Sequence, residues 1–163
     1  MMPDDLLMTT ASRIDPSCID PTEMTYAPPT WLVMDIARYG RMLNRQAVAI
    51  TKRDKKRGGT YQVKEAMDAI HAAFHCSDGL DPYDGMPLDG GLFNSDGNGV
   101  SNDGRHQVTT GSSRLPTVAH RHRAPIAEFE IVSWQTNTAM GDLNPEEYIA
   151  HCRAVAAHAD KTK

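Results

Sequence analysis

The sequence predicts an α+β domain in which a helical N-terminal half is followed by a β-hairpin and a closing helix. Apolar residues recur at helical spacing in two consecutive segments between residues 30 and 76. Two short runs rich in β-branched and aromatic residues, LPTVAHRH and AEFEIVSW, then flank a turn around Ala124-Pro125. Finally, Asn144-Pro145-Glu146-Glu147 combines an N-cap, a proline at the first helical position and acids in the first turn.

Residues 1–30 contain five prolines and no sustained periodicity, which predicts an extended or poorly structured tail, or a strap over a domain spanning 31–160. Thr30 is a usable N-cap for a first helix through 31–57, whose apolar stripe is Leu32, Ile36, Tyr39, Leu43, Ala47 and Ile50. Val63, Met67, Ile70 and Phe74 mark a second helix, ended by the turn Ser77-Asp78-Gly79. Residues 89–116 hold six glycines among many Asn, Ser and Asp, and read as a long loop with room for a short hairpin. In the final helix Tyr148, Cys152, Val155 and Ala159 form the stripe expected to be buried.

Three cysteines (Cys18, Cys76, Cys152) at unrelated spacings argue against a disulfide scaffold and a zinc ribbon. The N-terminus MMPDDLLM is acidic where a signal peptide is basic, and no 18-residue apolar run occurs, so the expectation is a cytoplasmic protein without a membrane partner. No GxSxG, P-loop or dinucleotide fingerprint supports acyl transfer, nucleotide hydrolysis or hydride transfer.

The net charge is −4, but it is divided unevenly: residues 1–30 carry −4, residues 31–57 carry +6, and residues 58–163 carry −6. Within the basic segment Arg38, Arg41, Arg45, Lys52 and Lys56 fall in an arc of roughly 60° on a helix advancing about 100° per residue. Lys55 extends the patch within the run TKRDKKRGG. One-sided cations suit a phosphate backbone. A merely solvated face, balancing the acidic remainder of the chain, is the plainer alternative.

The pieces DPYDGMPLD (81–89), LPTVAHRH (115–122), FEIVSWQTN (129–137) and GDLNPEEYIAHCRAV (141–155) occur in that order downstream of RQAVAITKRDKKRG. Together, over roughly residues 31–158, they resemble an uncharacterised bacterial group within the HNH endonuclease superfamily. The resemblance implies a ββα-metal core in which a hairpin and a helix hold one divalent ion, Mg²⁺ or another. It implies phosphodiester hydrolysis, with DNA as the expected substrate, and His120 as the general base that activates water. Asn137 is similar to the helix-borne metal ligand of that group.

The chain departs from the pattern. Ala119 stands where the resemblance implies an Asp ligand, Met140 where a Lys is common, and FEIVSW offers no match to the Asn that steadies the base. On a strand His120 and His122 would project from one face, so a metal held by His122 and Asn137 is one way to rescue the site. Alternatively, His122 is a surface residue beside Arg121 and Arg123. Asp81 and Asp84 occupy the positions of a zinc-knuckle cysteine pair, so no structural zinc is expected and the knuckle should close by hydrogen bonds.

Two weaker signals stand apart. His71 and His75 share a helix face but lack the Glu of HExxH, and the calcium-loop-like Asn94-Ser-Asp96-Gly-Asn98-Gly99 has Arg105 where a bidentate Glu belongs. The sequence therefore supports two main readings. One is a metal-dependent endonuclease; the other is a catalytically inactive relative that binds DNA or a partner protein through its basic helix. A small protein–protein regulator is a third.

Overall fold

A computed structural model describes residues 26–94 and 113–162. It is a mixed α+β structure with helices α1 (Ile36–Lys55), α2 (Val63–Cys76), α3 (Trp134–Met140) and α4 (Pro145–Lys161), and strands β1 (Pro116–His120) and β2 (Phe129–Ser133). Among the described residues no helix is long and apolar enough to cross a membrane.

Helix α1 starts five residues later than its apolar spacing suggested. Asp35, not Thr30, caps it, accepting a hydrogen bond from the Arg38 amide at 2.8 Å. Leu32 is buried from the turn that precedes the helix, whereas Ile36 is exposed. Burial at 32 therefore imitated a helical turn without belonging to one. Beyond the helix, Gly58 at φ +91° takes the left-handed conformation that stops a helix. The Gly59 amide then returns to the Asp54 carbonyl at 2.8 Å.

Helix α2 matches its predicted bounds. Gln62 and Glu65 form a capping box at its start, and Ser77 caps its end. Its buried residues Ala66, Ile70, Ala73 and Phe74 meet Tyr39, Leu43, Ala47 and Ile50 of α1, which makes the α1–α2 pair the centre of the core. Trp31 stacks on Phe74 with ring centroids 6.1 Å apart and donates its indole N–H to the Phe74 carbonyl. The preceding residues lie over α2: the Tyr26 hydroxyl donates to Asp68 at 2.5 Å, and His75 Nε2 is 2.8 Å from the Ala27 carbonyl oxygen.

The hairpin is antiparallel, with Pro116 opposite Ser133 and His120 opposite Phe129. Because strand side chains alternate, Val118, His120, Phe129 and Ile131 share one face, and Thr117, Ala119, Glu130 and Val132 the other. The first face joins the α1–α2 core through Val118, Phe129 and Ile131. The buried Ser133 ends β2 and caps α3 by accepting from the Thr136 amide. Of the long loop, a short 3-10 turn at Gly90–Asn94 and residues 113–115 are described. The suggested hairpin within that loop and the calcium-like motif beyond Asn94 lie outside the described residues.

Helix α4 is capped as its sequence predicts, with Asn144 and Glu147 exchanging capping-box hydrogen bonds and Pro145 in the first turn. The expected burial of its apolar stripe is overturned. No residue of α4 is buried; Tyr148 is half-buried and Cys152, Val155 and Ala159 are exposed. A helical period shows which residues share a face, but not whether the fold supplies anything to cover it.

Candidate nucleic-acid interface and the histidine at its end

Helix α1 divides into two sides. Tyr39, Met42, Leu43, Ala47, Ile50, Thr51 and Asp54 are buried, whereas Arg41, Arg45, Lys52, Lys55 and Lys56 are exposed and Arg38 is half-buried. The cations from Arg38 to Lys56 extend over about 27 Å at 1.5 Å per residue. Arg53 and Arg57 stand at the edge of this strip, nearest the hairpin. The Arg57 guanidinium donates to the Arg123 carbonyl at 2.9 Å, joining the end of α1 to the hairpin turn.

Asp54 is an anion inside this cationic segment. It lies seven residues after Ala47 and four after Ile50, which places it on the packed side of α1, and it is 1 % exposed. Tyr61 donates its hydroxyl to Asp54 Oδ2 at 2.6 Å, and His120 Nε2 lies 2.6 Å from the same oxygen. Asp54 Oδ1 makes no hydrogen bond, but Arg53 Nε and Arg57 Nη1 each approach it at 3.6 Å.

A carboxylate oxygen only accepts, so the Nε2–H of His120 donates to Asp54 and Nδ1 carries the lone pair. Arg53 Nη2 lies 3.4 Å from that Nδ1. Burial of Asp54 by itself would raise its pKa; hydrogen bonds from Tyr61 and His120 outweigh it and hold the carboxyl below its ordinary range. Burial also lowers the His120 pKa, and the adjacent Arg53 and Arg57 add to this, although Asp54 acts in the opposite direction. Burial and the two guanidinium groups thus favour the neutral imidazole.

The other residues expected at a metal centre do not meet at this point. Strand β1 ends at His120, so the alternation that would aim His120 and His122 to one side stops there. His122 is half-exposed and its Nε2 lies 2.7 Å from Glu128 in the connecting turn. Asn137 is on α3, which follows Ser133 at the opposite end of the hairpin from His122. Ala119 shares its face with Glu130, whose carboxylate accepts the Tyr83 hydroxyl at 2.5 Å. Among the described residues no group of three or more His, Cys, Asp or Glu could hold a metal ion.

A divalent cation does not fit the His120 pocket. Its one buried carboxylate already receives two hydrogen bonds on Oδ2 and faces two guanidinium groups at Oδ1. Hard cations such as Mg²⁺ require several oxygen donors and a local excess of negative charge. Here two fixed positive charges surround one negative charge.

The knuckle DPYDG is a hydrogen-bonded turn. Asp81, fully buried, accepts from the Tyr83 amide at 2.9 Å and from the Ser133 amide at 2.7 Å, tying the turn to the junction of β2 and α3. Burial would raise the Asp81 pKa, but hydrogen bonds from Thr136 and Ser133 hold it low. Asp84 accepts from the Met86 amide and pairs with Arg114 at 2.8 Å. The His71–His75 pair also has a packing role: His71 is buried with Nδ1 3.0 Å from the Tyr39 hydroxyl.

Sequence reasoning identified the cations and His120 but missed Asp54, Arg53, Arg57 and Tyr61 as its surroundings. The signal available for Asp54 was its phase, a charged residue on the apolar arc of a helix. Tyr61 and His120 carried no comparable signal of proximity. No family model, curated protein or solved structure matches this chain.

Proposed function

We propose that this protein binds the phosphate backbone of nucleic acid, with double-stranded DNA as the ligand, through the exposed cationic side of α1, without metal-dependent cleavage. The observation that carries this reading is the placement of Arg38, Arg41, Arg45 and Lys52 on one arc of a single helix, continued by Lys56 at its C-cap, with the opposite arc packed into the core. A helix so fixed presents its charges in a rigid row, and each phosphate neutralised releases condensed counterions. Arg53 and Arg57 continue the row toward the hairpin.

The order of hairpin and short helix supports a ββα-like relationship to HNH nucleases as part of the same proposal. The surroundings of His120 favour a scaffold that has kept the polyanion surface and given up the metal. In this reading His120 is a positioning residue, holding the hairpin against the end of α1 through Asp54.

The test is binding of a labelled 20-base-pair duplex measured by fluorescence anisotropy across a salt series. Five to six phosphate contacts predict a log–log salt slope of about −5. Arg41→Gln/Arg45→Gln should reduce its magnitude by about 2. Absence of binding at ~50 mM salt, or affinity indifferent to salt, would defeat the proposal. Plasmid cleavage in Mg²⁺ or Mn²⁺ that disappears in His120→Ala would restore the enzyme reading.

A further inference from the structure

Residues 1–25 carry the carboxylates Asp4, Asp5, Asp15, Asp20 and Glu23 against a single base, Arg13, for a net charge of −4. Residues 31–57 carry the opposite surplus, +6, most of it on the exposed side of α1. Among the described residues no carboxylate forms an ion pair with Arg41, Arg45, Lys52, Lys55 or Lys56. Carboxylates elsewhere in the described structure are engaged locally: Asp68 with Lys64, Asp84 with Arg114, Glu128 with His122 and Glu147 with Arg123.

The attachment point sets the acidic segment beside the cationic strip. Tyr26 is fixed to α2 by its hydroxyl, which donates to Asp68, and its ring packs edge-on against His71 with centroids 5.3 Å apart. His71 packs in turn against Tyr39 of α1 at 5.7 Å. Residue 26 therefore lies about one helix diameter, ~10 Å, from the Arg38–Arg41 end of the strip. The bonds of Ala27 to His75 and of Trp31 to Phe74 keep the chain that follows on α2.

We propose that residues 1–25 bind along the cationic side of α1 and compete there with nucleic acid, which makes them an intramolecular inhibitor of the surface. The proposal rests on the reading of that surface as a polyanion site. At ~3.3 Å per residue, Glu23 can reach ~10 Å from residue 26, Asp20 ~20 Å and Asp15 ~36 Å, enough to follow the strip from Arg38 to Lys56. Each exposed ion pair is weak by itself. Tethering supplies the occupancy, because a segment joined by a few residues acts at an effective concentration in the millimolar range. A duplex offers a denser line of charge, about one per 1.7 Å, and so displaces the segment, at an affinity reduced about tenfold in ~50 mM salt. The reduction fades toward ~500 mM salt, where the segment's own pairs are screened.

Two measurements on the full chain test this. In a Cys76→Ser/Cys152→Ser background the remaining thiol, Cys18, takes a nitroxide spin label. At ~50 mM salt the label should broaden the backbone amides of α1 between Arg45 and Lys52 more than those of Lys64 to Asp68, although the latter lie beside Tyr26. Adding a DNA duplex, or raising salt to ~500 mM, should remove the broadening on α1. Broadening centred on Lys64 to Asp68, or indifferent to salt, overturns the contact. The second measurement is duplex affinity by fluorescence anisotropy at ~50 mM salt. Asp20→Asn/Glu23→Gln should bind about three- to tenfold tighter than the unmodified chain. Asp142→Asn/Asp160→Asn changes the net charge equally at exposed positions and should alter binding by less than about twofold. Equal gains from the two pairs would show a general effect of net charge and overturn the competition. The two readings fail separately: salt-sensitive broadening of α1 without duplex binding overturns the nucleic-acid reading, whereas duplex binding without that broadening overturns the inhibitor.

Discussion

His120 Nε2 and Asp54 Oδ2 lie 2.6 Å apart although 66 residues separate them in the chain. This contact connects the last residue of β1 to the last turn of α1, and Tyr61 closes it from the loop between the helices. Arg53 and Arg57 owe part of their position to the same carboxylate. Asp54 therefore organises one end of the cationic strip from beneath it.

Replacing Asp54 by Asn should cost about 2–4 kcal/mol, because two charge-assisted hydrogen bonds weaken and two guanidinium groups lose a buried counter-charge. Urea denaturation measures this loss. The substitution should also lower the His120 pKa further, since Asp54 is the group that raises it. An imidazole titration followed by NMR that moved upward in Asp54→Asn would contradict the described geometry.

Buried His71 has its pKa depressed to about 4, chiefly by burial with a contribution from His75. Between about 6.5 and 4 the unfolded chain therefore binds more protons at this residue than the folded chain. Stability from this source is complete above pH 6.5 and declines as pH falls toward 4, by an amount on the order of 3 kcal/mol. His120, also depressed, acts with the same sign. His71→Gln should lower stability at pH 7 but flatten the decline between pH 6.5 and 4, as thermal melts across that range would reveal.

At the knuckle, Asp81→Asn leaves a side chain of similar shape but removes the negative charge that receives the Tyr83 and Ser133 amides. A loss of about 1.5–3 kcal/mol is expected. Hydrogen exchange should accelerate at those two amides before it does in α1 or α2, because the latter are held by the apolar core. Uniform acceleration across the chain would show that the knuckle does not open separately.

Gly59 passes close to both parts of the site. A Cβ there would lie 3.0 Å from the Asp54 carbonyl oxygen and 3.0 Å from that of Pro125. Gly59→Ala should destabilise by about 1–3 kcal/mol by forcing α1 and the hairpin turn apart, and should broaden the His120 imidazole resonance. Gly40→Ala is the control: nothing lies within 4 Å of a Cβ at that helical position, so stability should hold or increase.

By itself, the sequence determined α2, the hairpin, the capped start of α4 and the cationic side of α1, because all follow from local spacing and capping chemistry. Even so, it extended α1 through Leu32, whose burial comes from packing outside the helix. Only the tertiary structure decided that Asp54 meets His120, that His122 turns to Glu128, and that Asn137 stands at the other end of the hairpin. It also decided that no residue of α4 is buried. Periodicity specifies which face of an element is apolar, but pairing between residues distant in sequence depends on how whole elements dock. The chemistry at His120 belongs to that second kind of information: its nearest polar partner comes from a helix 66 residues earlier.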